Sequence, residues 1–169
     1  MTFTIRDAKL EDLPRVVEIY NASIPGKMAV ADTCPVTVES KVKWFEEHDS
    51  KHRPLWVYEK DGKIIAWISL QAFRDRPAYH STAEFSIYVD PLHHKEGVGT
   101  YLLQKMIDEC PKLGIAVLLG LIFKHNIPSL QLARKMGFKK WGHLYQVTEL
   151  DGIRRDVIIV GLKIKANMG

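Results

Sequence analysis

The stretch Glu84-Phe85-Ser86-Ile87-Tyr88-Val89-Asp90-Pro91-Leu92-His93-His94-Lys95-Glu96-Gly97-Val98-Gly99-Thr100-Tyr101-Leu102-Leu103 decides the fold. Its opening residues are β-branched and aromatic and read as a strand, halted by Asp90-Pro91. After the turn, Val98, Leu102, Leu103, Met106, Ile107 and Cys110 recur at helical spacing and predict a long helix. Between strand and helix, Gly97 and Gly99 let bare backbone approach a neighbour closely. A helix beginning there presents unpaired N–H groups and the positive end of its dipole, which suits a phosphate. Taken alone, the two glycines fit a tight helix start with no ligand equally well.

Working outward, Ala116 to Ile122 is a nearly continuous apolar run and predicts a central strand buried on both faces. Asn126 is placed to cap a short helix carrying Leu130 and Ala133, ended by Gly137. Phe138 to Gly142 and Val157 to Leu162 read as the last strands, with Asp151-Gly152 as a turn. Upstream, Phe3 to Arg6 alternates as a strand, and Leu13, Val16, Val17 and Tyr20 mark a helix whose Pro14 is tolerable in its first turn. Val38, Val42 and Phe45 mark a second helix with Thr37 as N-cap. Leu55–Tyr58 and Ile64–Ile68 flank Asp61-Gly62 as a hairpin. The predicted order is β-α-α-β-β-β-α-β-α-β-β: a mixed, α/β (α+β) sheet with helices on both faces, in a single domain spanning residues 1–169.

Composition narrows the function. The 169 residues are 46% hydrophobic and 26% charged, with net charge +4, which is globular and only mildly basic. The basic residues interleave with acidic ones rather than forming a stripe, which argues against nucleic acid. No apolar run approaches the roughly 20 residues of a membrane span. The N-terminus carries no signal-peptide core, and two cysteines are too few for a disulfide framework, so the expectation is a cytoplasmic protein. Cys110 is expected buried and Cys34 in a loop. The glycine turn is not a Walker loop, which needs Gly-Lys-Ser/Thr, and it lacks the third glycine of a dinucleotide fingerprint. His93-His94 has no acidic or cysteine partner spaced to complete a metal site, so no metal is expected.

The opening stretch resembles the central motif of the GNAT N-acetyltransferase superfamily: Arg/Gln-x-x-Gly-x-Gly/Ala after a strand ending in Val-x-Pro. Asn126-Ile127-Pro128-Ser129-Leu130-Gln131-Leu132-Ala133-Arg134-Lys135-Met136-Gly137-Phe138 resembles the second motif, Asn-x-x-Ser-x-x-Leu-x-x-x-x-Gly-Phe. Ile5–Ala8, Ile19-Tyr20-Asn21, the Phe73-to-Tyr79 loop and Glu84 are similar to the phosphinothricin acetyltransferases, so the resemblance covers nearly the whole chain. It implies a GNAT-type, mostly antiparallel central sheet and acetyl-CoA as co-substrate. The pyrophosphate would meet the turn, His94, Lys95, Glu96, Gly97, Val98, Gly99 and Thr100, and the pantetheine arm would pair with Ile87, Tyr88 and Val89. Asn126 and Ser129 belong to the second motif, and Lys124, Arg134 or Lys135 is placed to approach the 3′-phosphate.

The same resemblance makes Glu84 the candidate general base, acting through a water. A solvent-facing strand residue is the alternative that alternation alone allows. Arg74, Arg76 and Tyr79 would face the acceptor, the arginines gripping a carboxylate, and exposed loop charges are the alternative. The implied acceptor is a small-molecule amine of amino-acid type: phosphinothricin, methionine sulfoximine or methionine sulfone. The resemblance also implies a homodimer. Two rival functions stand beside it: a protein N-terminal or lysine acetyltransferase, and a non-catalytic CoA-responsive binding module. Two positions depart from the pattern. His94 replaces the usual Arg or Gln, and Ala133 replaces a Tyr that in many members protonates the departing thiolate.

Overall fold

Two tight hairpins, one joining the second and third strands and one joining the last two, shape the sheet. At Asp61-Gly62 both residues have positive φ (50° and 80°), and Asp151-Gly152 repeats this (52° and 76°). Such turns twist in the sense that adjacent strands need. The computed structural model describes residues 1–165, so the last four positions of the expected domain lie outside the described residues. The strands are β1 (Phe3–Asp7), β2 (Leu55–Lys60), β3 (Lys63–Ala72), β4 (Thr82–Val89), β5 (Val117–Phe123), β6 (Lys139–Leu150) and β7 (Ile153–Lys163). The helices are α1 (Leu13–Asn21), α2 (Val42–Glu46), α3 (Val98–Glu109) and α4 (Ile127–Lys135).

The seven strands lie in the order β1-β2-β3-β4-β5-β7-β6, and every pairing is antiparallel except β4 with β5. That parallel pair follows from its connection, because only a crossover such as α3 can return the chain in the same direction. On one face α3 packs Leu102, Leu103 and Met106 against Ile68, Leu70, Ala83 and Leu118, and Ala133 of α4 joins them. On the other face α1 packs Leu13, Val16, Val17 and Ile19 against Leu55, Val57 and Trp67, with Trp44 and Phe45 of α2 beside them. Trp67 satisfies its indole N–H on the Val16 carbonyl, 3.0 Å away.

The expected element order holds, with differences of extent. The second helix is short, a 3₁₀ turn at Glu39–Lys41 followed by α2, and the Thr37 hydroxyl accepts from Ser40 N–H at 3.1 Å. The last two strands are longer than sequence suggested, because they pair with each other along most of their length. The expectation that the 116–122 run is buried on both faces fails at Leu121, which is 44% exposed. The reason is that β5 loses its neighbour. β4 and β5 pair at Thr82↔Val117, Ala83↔Leu118 and Glu84↔Leu119, and pairing stops there. No described helix is long and apolar enough to cross a membrane.

Candidate active site

The loss of pairing beyond Glu84 opens a cleft in the middle of the sheet. From Phe85 to Val89, β4 keeps β3 along one edge and has no strand along the other. Alternate N–H and C=O groups on that edge therefore face open space. None of residues 84–89 is fully buried, although β4 is the fourth of seven strands. The closed end of the cleft is packed tightly. A Cβ on Gly120 would lie 2.8 Å from two ring atoms of Phe85 and 3.1 Å from Val160. Only glycine lets the Phe85 ring lie across β5 there, and that ring packs edge-on against Phe138 with centroids 5.2 Å apart.

The chain leaves the open end of β4 through the glycine turn. Asp90 caps the short Pro91–His93 turn by accepting from Leu92 N–H at 2.9 Å, and Arg15 of α1 holds the same carboxylate. Burial would raise the Asp90 pKa, but these two donors outweigh it and the carboxyl lies below its usual range. Lys95 and Gly97 both have positive φ, 65° and 79°. A Cβ on Gly97 would meet nothing within 4 Å, so what requires glycine is the left-handed backbone rather than space. Gly97 is the N-cap of α3 and no side chain caps that end, so its first N–H groups point outward unclaimed. Open β4 edge and uncapped helix terminus adjoin, and together they fit an amide-rich arm ending in a pyrophosphate.

The side chains of the turn do other work. The His94 ring folds back, and its Nε2 lies 3.0 Å from the Val89 carbonyl, where the tautomer protonated at Nε2 donates. His94 thus ties the turn to the end of β4. Glu96 pairs with Nδ1 of His93 at 3.0 Å. Asn126, buried, caps α4 through its side-chain oxygen, which accepts from Ser129 N–H at 3.3 Å. Lys135 is exposed in the last turn of α4, about 13 Å along the helix from that cap. The structure therefore does not bring Lys135 to Asn126. Ala133 is buried against the core and offers no proton.

Glu84 sits at the closed end of the cleft, on the sheet face carrying α1 and α2. Burial raises its pKa above the usual 4.5, and among the described residues no hydrogen bond or cation holds its charge. Arg74, Arg76 and Tyr79 lie on the exposed loop that joins β3 to β4, ending three residues before Thr82 begins the strand. Tyr79 packs edge-on against Phe73, with centroids 5.8 Å apart.

Sequence reasoning missed the roof. Residues 22–36, between α1 and α2, span the cleft from both sides. The Ala29 carbonyl accepts from Tyr88 Oη on β4 at 3.3 Å, and the Lys27 carbonyl lies 2.8 Å from His125 Nε2, just past β5. Lys27 also pairs with Asp151 in the β6–β7 turn. Asn21 anchors the far end, exchanging hydrogen bonds of 2.9 Å with both the N–H and the carbonyl of Val36. Under this roof Tyr20 donates to Asp32, and the Tyr20 ring meets Tyr88 edge-on at 5.1 Å. Burial, with smaller contributions from the Asp32 and Glu84 carboxylates, raises the Tyr88 pKa. Only the Tyr20-Asn21 pair at the end of α1 hinted at this arrangement.

A second concavity, about 670 Å³, lies between α1 and the β2–β3 hairpin. Apart from Lys63, its charges are engaged with one another: Arg6 with Asp12 and Glu59, and Arg15 with Glu18 and Asp90. We read it as structural. Among the described residues no group of three or more His, Cys, Asp or Glu is gathered to hold a metal.

A seven-stranded sheet split beside a parallel pair, with a glycine turn leading into an uncapped helix, defines a class of acyl-transfer enzymes. The chain matches the acetyltransferase (GNAT) family over residues 14–138 and belongs to it. It is 47% identical over 162 residues to Bacillus subtilis YwnH, whose name carries a provisional phosphinothricin acetyltransferase assignment; the match covers 95% of this chain and 99% of that one. It is 28% identical over 165 residues to the L-methionine sulfoximine/L-methionine sulfone acetyltransferase of Pseudomonas paraeruginosa, covering 97% and 96%. Among solved structures, a phosphinothricin acetyltransferase from Sinorhizobium meliloti in complex with acetyl-CoA superposes with TM-score 0.90 at 27% identity, covering 100% of this chain and 95% of that one.

Proposed function

We propose that this protein moves the acetyl group of acetyl-CoA to the primary amine of a small amino-acid-like acceptor, of the phosphinothricin, methionine sulfoximine or methionine sulfone type. One observation carries the reading. A central strand with an open edge bears a desolvated carboxylate, Glu84, at the closed end of the cleft, and an uncapped helix terminus adjoins the open end.

The chain's own groups divide the work. N–H groups from Lys95 to Thr100 take the pyrophosphate, and backbone from Ile87 to Val89 takes the amide-rich arm. Asn126 and Ser129 shape the adjoining end of α4, and Lys135 is left for the outlying 3′-phosphate. An N–H on the β4 edge polarises the thioester carbonyl, charge stabilisation of the oxyanion-hole kind. Glu84 receives the proton that the acceptor ammonium must lose before its nitrogen can attack. Its raised pKa suits a base that works near neutrality, a role worth about 10²–10⁴-fold in rate. Arg74 or Arg76 takes the acceptor carboxylate as a bidentate pair, with Tyr79 beside it. The roof of residues 22–36 limits the acceptor's size. Position 133 carries no acid, so the departing thiolate takes its proton from another source. The same proposal covers one N-acetyltransferase domain in the cytoplasm. It also includes a homodimer, for which exposed Trp141, Tyr145 and Val147 on edge strand β6 offer apolar area.

The test is release of free CoA thiol from acetyl-CoA by the purified chain, with L-methionine sulfoximine, L-methionine sulfone, phosphinothricin, the common amino acids and short peptides as acceptors. Turnover with the free amino-acid analogues is expected. Turnover confined to peptides would move the reading to a protein acetyltransferase. Tight acetyl-CoA binding with no thiol release for any amine would move it to a binding module.

A further inference from the structure

Ser69 lies near the centre of β3 with no exposed surface, and its Oγ has no hydrogen-bond partner among the described residues. A buried hydroxyl left unpaired costs about 1–3 kcal/mol, so a native serine there needs an explanation. The register supplies its surroundings. Trp67, Ser69 and Gln71 of β3 lie directly opposite Tyr88, Ser86 and Glu84 of β4. Directly opposed residues share a face. The neighbouring pairs, Ile68–Ile87 and Leu70–Phe85, turn to the α3 side. Two hydroxyls, one amide and one carboxylate therefore form a polar square in a face otherwise packed with apolar side chains. Ser69 is diagonal to Glu84 in that square. Diagonal cross-strand neighbours sit about 7–8 Å apart at the backbone, a spacing that a serine and a glutamate side chain narrow to the reach of one bridging water.

We propose that Ser69, with Ser86 opposite it, is a positioning residue that holds the water through which Glu84 receives the acceptor's proton. This rests on the reading of Glu84 as the base. The transfer is balanced: the acceptor ammonium gives one proton to the held water, which gives one of its own to the Glu84 carboxylate. The amine is left neutral and Glu84 becomes a neutral acid that later releases the proton to solvent. Ser69 donates to or accepts from the water and is itself unchanged. The other titratable groups facing this side are Tyr88 on β4, Tyr20 on α1, Asp32 on the roof and His48 at the end of α2. His48 keeps its Nδ1 on the Trp44 carbonyl at 2.8 Å, and its Nε2 is likewise buried without a partner.

The test compares Ser69→Ala, Ser69→Thr and Glu84→Gln with the parent, using L-methionine sulfone and thiol release across about pH 5.5–9.5. Ser69→Ala is expected to lower kcat about tenfold, displace the acid limb of the pH profile and leave the KM for acetyl-CoA unchanged. Ser69→Thr, which keeps the hydroxyl, is expected to restore most of the rate. A purely structural serine would shift the melting temperature without moving the pH profile, and that result overturns the proposal. So does Ser69→Ala with parental kcat. If Glu84→Gln turns over normally, the base reading falls and this inference with it. If Glu84→Gln is inactive while Ser69→Ala is unaltered, only this inference falls.

Discussion

Replacing Glu84 with Gln separates what this residue does for the reaction from what it does to the fold. The side chain keeps its size and hydrogen-bonding reach but loses its charge. Losing a positioned base is expected to cost about 10²–10⁴-fold in kcat, or about 3–5 kcal/mol of transition-state stabilisation. Stability should move the other way. Burial raises the folded pKa of Glu84 above its usual 4.5, so ionisation disfavours the folded state. The folded form holds the proton more tightly than the unfolded one. Parental stability therefore falls as pH rises from 4.5 through the raised folded value, and the Gln variant escapes that fall. The variant should melt higher than the parent at neutral pH, and the difference should vanish below pH 4.5. Thiol-release kinetics with acetyl-CoA titrations, and thermal melts at both pH values, measure this. Near-parental turnover with acetyl-CoA binding intact would refute the catalytic part. A lower melting temperature at neutral pH would refute the desolvation argument.

Other outcomes follow from particular contacts. Gly120→Ala puts a methyl 2.8 Å from the Phe85 ring, so it should lose about 1–3 kcal/mol in a denaturant titration and weaken turnover by disturbing the closed end of the cleft. Asp12 is held below its usual 3.8 chiefly by the Arg6 hydrogen bond, against the opposing effect of burial. Its stabilisation is present above pH 3.8 and lost as pH falls through the depressed value. Asp12→Asn should therefore lower the neutral-pH melting temperature while narrowing the parent's loss in acid. Burial pushes the Cys110 thiol up to about 12, whereas Cys34 is exposed. A thiol reagent should modify one cysteine in the native protein and both after denaturation. Arg74→Ala and Arg76→Ala should raise acceptor KM in at least one case and leave acetyl-CoA KM unchanged; no change in either would remove the carboxylate contact.

Much of this architecture was legible because short-range chemistry dictates it. Asp61-Gly62 and Asp151-Gly152 announce their hairpins, Asn126 its cap, and Gly97 its left-handed turn. The split was not legible. Between Ala116 and Ile122 only Gly120, next to the last paired residue Leu119, interrupts the apolar run, and a lone glycine does not say that a neighbouring strand is lost there. Leu121 is apolar yet exposed for that reason. The roof was hidden because its ties are long-range: Ala29 to Tyr88 and Lys27 to His125 join residues far apart in sequence through backbone carbonyls, which carry no side-chain signature. The role of His94 was equally invisible, because a ring folded back on Val89 depends on the path of the turn.

In the proposed mechanism the split in the sheet brings acetyl donor and acceptor amine together beside Glu84. A crystal structure of the chain with CoA and L-methionine sulfone tests it most directly. The expected result has the pantetheine arm paired with β4 between Phe85 and Val89, and the pyrophosphate on the N–H groups following Lys95. The acceptor nitrogen should lie one water from the Glu84 carboxylate, beneath residues 22–36. An acceptor bound in the groove between α1 and the β2–β3 hairpin, or CoA bound away from the open edge of β4, would contradict it.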